Sequence, residues 1–158
     1  MKKMTTLFKQ IGPLTLIILP LINPAQSAEE PRQIVHPAKM SSTQIGGDIF
    51  KHEDMVRTEH EDGHTTLDVT SLLSSDGKFA SGMYRSGKTR SEINEPYGVD
   101  EFMYFLEGGV TLTSADGTVT RISAGEAVTI PKEWTGIWDT EGYTKIWVIY
   151  SEDGSALE

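Results

Sequence analysis

The stretch EPYGVDEFMYFLEGGVTLTSADG, residues 95–117, decides the fold prediction. Residues 101–107 and 109–115 within it are short runs rich in aromatic and β-branched side chains, which favours strands. Gly108 separates the two runs and can adopt a positive φ in a tight connection. Asp116 and Gly117 follow as a typical hairpin turn. The stretch therefore predicts a strand, a tight turn and a second strand.

The same pattern of short runs and turns extends to both sides of this stretch. Turn sequences occur in SSDGK, residues 74–78, and in SAGEA, residues 123–127. After residue 27, no ten-residue stretch has the 3.6-residue period of an amphipathic helix. Short strands at such spacing indicate a sandwich or barrel, so we predict an all-β fold. The predicted strands are residues 65–72, 78–86, 89–95, 101–107, 109–115, 118–123, 126–130, 135–139 and 144–151.

The first 27 residues have the composition of a secretory signal peptide. Three lysines lie within residues 1–9, and IGPLTLIILPLI, residues 11–22, is an apolar run followed by small residues. The run is shorter than the about 20 residues of a membrane-spanning helix. The order basic, apolar, small is typical of a cleaved signal. We therefore predict a protein that is exported, periplasmic or extracellular, with cleavage after Ser27 or Ala28; the alternative is an uncleaved N-terminal anchor.

Composition limits the partners of the mature chain. Removing residues 1–27 takes away three lysines and leaves 131 residues with a formal net charge of −12 and no cysteine. The charge argues against nucleic acid and, after signal cleavage, against an anionic membrane, because both are polyanions. Without cysteine there is no disulfide, thiolate nucleophile or zinc–thiolate site. Residues 28–62 are polar and lack a clear period, so we predict an N-terminal arm with one or two short strands, followed by one domain at residues 63–158.

Two spaced motifs in the predicted domain resemble those of the cupin superfamily. The first cupin motif ends in E-x6-G, which matches Glu101 and Gly108, and the second begins with G-x5-P, which matches Gly125 and Pro131. The sequence of residues 100–138 is most similar to the ureidoglycine aminohydrolase type of cupin domain, which includes the ethanolamine-utilisation cupin. This resemblance implies a single-domain jelly-roll barrel, or double-stranded β-helix. It also implies that Glu101, Met103 and Phe105, which share one face of a strand, point into the barrel.

The metal-binding histidines of the cupin motifs are absent. Their positions hold Glu95, Tyr97 and Gly136, and of the four ligands of the aminohydrolase type only Glu95 is retained. Imidazole is a good ligand for Mn, Fe, Ni or Zn, and the residues found here are poor substitutes. We therefore predict no cofactor and no tightly bound metal. The alternative is a weakly held hard cation bound through the oxygens of Glu95 and Glu101.

The candidate site residues surround the expected barrel mouth. Glu101, Glu95 and Tyr97 are the candidate catalytic residues, since a carboxylate pair in an apolar mouth can carry out acid–base chemistry. The alternative is that Glu101 is a structural carboxylate bonded to Tyr97 or Arg90, with Glu95 solvated. The predicted ligand-binding residues are Arg90, Met103, Trp138 and Tyr84.

These features favour a protein that binds a small polar molecule at its barrel mouth without a transition metal. One alternative is a ureidoglycine aminohydrolase-like enzyme acting on C–N bonds of a ureido compound, which would use a water-activating metal. Another is a structural barrel filled by its own side chains. Whether the protein is an enzyme stays open.

Two further expectations concern the surface. We expect a two-fold homodimer, the commonest symmetry of soluble oligomers. Its interface would use apolar residues expected to face outward, namely Phe102, Tyr104, Trp147 and Ile149. His60 and His64 flank a Glu-Asp-Gly turn and are expected to be exposed.

Overall fold

The computed structural model describes residues 34–157, and β-strands make up most of this range. The strands within it are β1 (Val56–Glu59), β2 (Thr65–Leu73), β3 (Phe79–Ser86), β4 (Thr89–Ile93), β5 (Asp100–Ser114), β6 (Val119–Ser123), β7 (Ala127–Ile130) and β8 (Gly136–Tyr150). The helical segments in this range are α1 (Ser42–Ile45) and two 3-10 helices (Asp48–Lys51 and Ser155–Leu157). The prediction of an all-β fold is confirmed.

The predicted signal peptide lies outside the described residues, as does the beginning of the arm. Export therefore stays a prediction. Within the described part of the chain, no helix is both long and apolar enough to cross a membrane.

Strands β5 and β8 form the spine of the antiparallel sheet. Each has 15 residues, and they pair along their whole length, from Asp100 opposite Tyr150 to Ser114 opposite Gly136. The first half of β5 also pairs with β7 and the second half with β6. In the same way, β8 pairs first with β4 and then with β3, beyond which lie β2 and β1. The long central pair of strands, β5 and β8, thus holds all other strands in place.

The expectation of four separate strands in β5 and β8 is wrong. Residues 101–107 and 109–115 belong to one strand, and so do residues 135–139 and 144–151. Gly108 does have a positive φ, of 65°, but it lies at a bend inside β5 between two register shifts. A Cβ on Gly108 would lie 2.0 Å from the carbonyl oxygen of Gly142, so the two backbones approach each other where neither strand carries a side chain. The glycine marks a bend in a continuous strand instead of a turn between two strands.

The inner face of the sheet carries the main apolar core. Alternation along β5 places Glu101, Met103 and Phe105 on this face, and all three side chains are buried, as expected. The buried members of the core cluster are Met103, Phe105, Val110, Leu112, Ile122, Ile130, Trp138 and Tyr143.

The outer face of β2 and β3 is covered by part of the predicted arm. Ile49 and Phe50, in the first 3-10 helix, form a second buried cluster with Val69 and Met83. A capping box between Ser41 and Gln44 starts α1 just before this segment. One strand of the arm, β1, extends the sheet by pairing with β2. The helical segments of the arm are too short to show a sequence period, which is why they escaped prediction.

Candidate functional site

A cavity of about 710 Å³ lies on the inner face of β2, β3 and β8. Residues directly opposite each other on paired strands point to the same face. The register therefore places Asp68, Tyr84 and Lys145 in one row across the three strands, and Gly82 and Trp147 in the next row. The cavity lining includes the aromatic residues Tyr84, Tyr97, Trp138, Tyr143 and Trp147 and the charged residues Asp68, Glu101 and Lys145.

A buried ion pair lies at the base of this cavity. Lys145 is 5% exposed and Glu101 is 3% exposed. The Lys145 ammonium donates to Oε1 of Glu101 at 2.7 Å and lies 2.9 Å from the Met103 sulfur. The Tyr97 hydroxyl donates to the other carboxylate oxygen of Glu101. Both oxygens of the carboxylate therefore have a donor, which is the arrangement that a buried charge needs.

The loop between β4 and β5 positions Tyr97. The backbone N–H of Tyr97 donates to the carbonyl of Trp134 at 3.0 Å, and that of Gly98 donates to the carbonyl of Lys132 at 2.8 Å. The rings of Tyr97 and Trp134 meet edge to face, with centroids 6.3 Å apart. The loop is thus fixed to the connection between β7 and β8, and the phenol is held over Glu101.

Three aromatic rings surround the Lys145 ammonium. Its nitrogen lies 5.3 Å from the centroid of Trp138, 5.5 Å from that of Tyr84 and 5.8 Å from that of Tyr143. At such distances the ring faces attract a cation. The rings stabilise the ammonium in a place from which most water is excluded.

The tyrosines of the cavity are hydrogen-bond donors at neutral pH. Burial raises the pKa of Tyr97 far above its usual range, and the negative charge of Glu101 raises this pKa further. Burial also raises the pKa of Tyr143 and of Tyr84. A phenol with a raised pKa keeps its proton, so Tyr97 is a donor to Glu101 and not a general base.

Asp68 is the second carboxylate that faces the cavity. The Trp147 indole N–H donates to Oδ1 of Asp68 at 3.2 Å. The indole lies over Gly82, where a Cβ would come within 2.6 Å of the ring carbon Cζ2. Burial raises the pKa of Asp68, and the Trp147 hydrogen bond and the charge of Lys145 offset part of this effect. The missing side chain at position 82 thus allows Trp147 to reach Asp68.

The turn between β1 and β2 forms part of the cavity rim. The rings of His60 and His64 stack with centroids 4.0 Å apart, and both residues line the cavity. His64 contacts the Asp62 carboxylate, which lowers the pKa of Asp62 to about 2, and Thr89 on β4 donates to the same carboxylate at 2.9 Å. The predicted turn is present, but the expectation of two exposed histidines is wrong, because the turn folds both rings back over the cavity.

The predicted site residues divide into two groups. Glu101, Tyr97, Trp138 and Tyr84 line the cavity, and Met103 lies beneath the Lys145 ammonium. Arg90 and Glu95 lie outside the lining. Arg90 is on the outer face of β4, where it is exposed and contacts Glu92 at 3.1 Å, and Glu95 is exposed in the loop that follows. The cation beside Glu101 is Lys145, so Arg90 does not have the role expected for it.

Sequence interpretation missed Lys145, Asp68 and Tyr143, and it placed Trp147 on the wrong face. Trp147 and Ile149 were expected on the outer surface, but Trp147 is opposite Met103 and Ile149 is opposite Glu101, so both face inward. Alternation alone groups residues 143, 145, 147 and 149 on one face of β8. Only the register with β5 identifies this face as the inner one.

The model of the family described as EutQ-like cupin domain matches residues 73–145. The chain contains a EutQ-like cupin domain. A search of curated proteins finds no significant match.

Solved structures share the fold of this cupin. A protein of unknown function from Pseudomonas syringae is 14% identical with a TM-score of 0.55, and the comparison covers 60% of this chain and 43% of that protein. Ectoine synthase from P. lautus is 16% identical with a TM-score of 0.52, and the comparison covers 75% of this chain and 78% of the synthase. The EutQ protein of Clostridium difficile is 18% identical with a TM-score of 0.49, over 63% of this chain and 97% of that one. At this identity the first two show the jelly-roll fold and nothing about activity, and this chain spans less than half of the Pseudomonas protein.

The donor set of this cupin domain does not fit a transition metal. Among residues 34–157, no group of three or more His, Asp or Glu side chains is arranged to hold a metal ion. Position 136, where the motif would have a late histidine, cannot take a side chain without rearrangement, because a Cβ there would lie 2.2 Å from the Thr113 carbonyl oxygen. The Lys145 ammonium also occupies one side of Glu101, so a metal ion would have to displace a cation that is already in contact.

We expect Lys145→Met to destabilise the protein by about 3–5 kcal/mol, because it leaves the buried Glu101 without its cation. Urea denaturation measures the loss. In the double variant with Glu101→Gln the loss should be smaller than the sum of the two single losses, since no unpaired charge remains. Lys88→Met is the matched control: Lys88 forms an exposed pair with Glu141 at 2.8 Å, and its loss should change stability little. Strict additivity in the double variant would contradict a coupled ion pair.

Proposed function

We propose that the cupin barrel binds a small polar molecule in its cavity and that this binding uses no resident transition metal. The observation that carries the proposal is the buried Lys145–Glu101 pair at the base of an aromatic-lined cavity. A volume of about 710 Å³ is in the range of small-molecule pockets, which run from roughly 300 to 1,000 Å³. Such pockets combine apolar walls with a few convergent polar groups, and the same combination is present here.

The ion pair gives the ligand a fixed polar partner. An ammonium has three N–H donors. Contacts with Glu101 and Met103 account for two of those of Lys145, which leaves one for an acceptor on the ligand. Tyr97 holds the far oxygen of Glu101, so the pair is fixed before a ligand arrives. Binding to a preorganised group costs less conformational entropy than binding to a mobile one.

The two alternative functions have less support. Hydrolysis of a ureido C–N bond resembling the aminohydrolase reaction would use a water-activating metal, and Lys145 stands beside the carboxylate that would have to help hold it. A barrel filled by its own side chains would leave no space at this end of the sheet, whereas the cavity there is large.

We expect Ser91→Trp to abolish ligand binding, because Ser91 lines the cavity from β4 and an indole there would project into the space that the ligand needs. Glu92→Trp is the matched control, since Glu92 is the next residue on the same strand, is exposed and does not line this cavity. A panel of small polar metabolites is tested by ligand-observed NMR on the parent and on both variants. Binding that persists in Ser91→Trp, or a panel without any ligand for the parent protein, would contradict the proposal.

We expect purified protein to contain Mn, Fe, Ni, Cu and Zn well below one equivalent per chain, because the retained ligands are too few and Lys145 neutralises Glu101. Elemental analysis of protein prepared without chelator measures this content. One equivalent of any of these metals in the parent protein that is lost in Glu101→Ala would show a metal site and refute the metal-free proposal.

We also propose that the protein is a two-fold homodimer that associates through the outer face of the first half of β5 and of β8, β3 and β2. Phe102 and Tyr104 are 43% and 38% exposed on this face. The register extends the exposed apolar surface across the sheet, to Tyr150 on β8 and to Phe79 and Leu72 on β3 and β2. Trp147 and Ile149 are not part of this surface, because both face the cavity.

We expect sedimentation equilibrium to give twice the mass of the purified chain for the parent protein. Phe102→Lys should give the mass of one chain, because the variant would have to bury a lysine charge in the interface. Val119→Lys is the control, because Val119 is 46% exposed but lies on β6, away from this surface. A monomeric parent protein at tens of micromolar, or dissociation of both variants alike, would contradict the proposed interface.

A further inference from the structure

The charges that line the cavity do not balance. Two carboxylates, Asp68 and Glu101, face a single ammonium, that of Lys145, and the lining contains no arginine. Lys145 lies 2.7 Å from Glu101, and this contact balances the two charges. Within residues 34–157, Asp68 forms no salt bridge with any lysine, arginine or histidine. One negative charge is therefore left over inside the cavity.

Asp68 is held in place and faces the cavity. It shares a row with Tyr84 and Lys145, and neighbouring strands are about 4.8 Å apart, so its Cβ lies about 10 Å from that of Lys145. The Trp147 indole fixes one carboxylate oxygen. Burial raises the pKa of Asp68, because removing a carboxylate from water disfavours its charged form, and the hydrogen bond from Trp147 and the charge of Lys145 offset part of this rise.

The walls next to Asp68 are aromatic. Trp147 contacts it directly, and Tyr84 stands between it and Lys145. Rings attract cations through their faces, as they do for Lys145 a short distance away. A carboxylate without a counter-ion beside ring faces is the setting that favours a positively charged organic group over a neutral or negative one.

We infer that the cavity selects a small organic cation, an amine or a quaternary ammonium, whose charge pairs with Asp68 while its apolar part lies against Trp147 and Tyr84. This inference rests on the small-molecule binding proposed above and names the class of ligand. An anion would meet two carboxylates and one ammonium, and Glu101 already balances the charge of that ammonium, although one of its N–H groups can still donate to a neutral acceptor. His60 and His64 lie at the rim, and the carboxylate that His64 contacts is that of Asp62, which is not part of the cavity lining.

Three probes of one shape test the charge preference. Benzylamine, benzyl alcohol and benzoate share a ring and differ in carrying a positive charge, no charge and a negative charge. Isothermal titration calorimetry at neutral pH should give benzylamine an affinity at least about tenfold higher than that of benzyl alcohol, a difference of about 1.4 kcal/mol, since hydrogen bonds to charged groups are stronger than those between neutral groups. Benzoate should bind most weakly.

Two matched variants assign the preference to Asp68. Asp68→Asn keeps an acceptor for the Trp147 N–H and removes the charge, so benzylamine should fall to the affinity of benzyl alcohol, which itself should not change. Asp139→Asn removes one negative charge from the exposed outer face of β8 and should leave all three affinities unchanged. Thermal melting checks that both variants are folded. Should Asp68→Asn fail to fold, the comparison of the three probes on the parent protein still decides the sign of the preference.

Several outcomes would overturn the inference. Benzyl alcohol or benzoate binding as tightly as benzylamine would do so, and so would a preference that survives Asp68→Asn or is lost equally in Asp139→Asn. The last outcome separates the inference from the proposed function. If a metabolite of the panel binds the parent protein and not Ser91→Trp, the proposed pocket stands. If none of the three probes then binds at millimolar concentration, the cation inference is wrong.

Discussion

The close approach of β5 and β8 at Gly108 and Gly142 is the constraint on which the rest of the structure depends. A Cβ on Gly108 would overlap the carbonyl oxygen of Gly142, so the two 15-residue strands stay paired through the bend because position 108 carries no side chain. On one side of the bend the pair is flanked by β3 and β7, and on the other by β4 and β6. The bend therefore turns the long β5–β8 pair into the frame of a barrel, in which one continuous ladder serves both halves.

The charged centre of the cavity is built on this ladder. Glu101 and Lys145 come from different strands of the pair, and Lys145 is directly opposite Phe105 instead of Glu101. The long lysine side chain runs past Met103 to reach the carboxylate, which explains the short contact with the Met103 sulfur. A shorter cationic side chain at this position would leave the carboxylate unpaired. The length of lysine is thus matched to the register of the strands.

The sequence was sufficient for the fold class and the inward face of β5, and insufficient for the centre of the site. The strands could be predicted because the turns rich in Gly and Asp between them are local in sequence. The cupin resemblance could be predicted for the same reason, from the spacing between Glu101 and Gly108. Which face of β8 is buried depends on its pairing with β5, over 40 residues away in sequence, and local pattern does not contain that pairing. Lys145 was therefore missed, and the cation expected beside Glu101 was Arg90, which lies nearer to the motif in sequence. Asp68 was missed for the same reason, because its neighbours Tyr84 and Trp147 are brought to it by two further strand pairings.

The covering of the outer sheet face by Ile49 and Phe50 has a consequence for where this protein can be shortened. The family match begins at residue 73, near the end of β2, whereas the packing of the sheet begins with residues about 25 positions earlier. A chain trimmed to the family match would lose β1, all of β2 except Leu73, both helical segments of the arm and the end of β8 after Lys145, and it would expose Met83 to water. It would also lose Asp68 and the histidine rim, and with them one wall of the cavity. In this chain the folding unit is longer than the segment that matches the family. Expression of residues 73–145 alone would therefore yield an incomplete barrel.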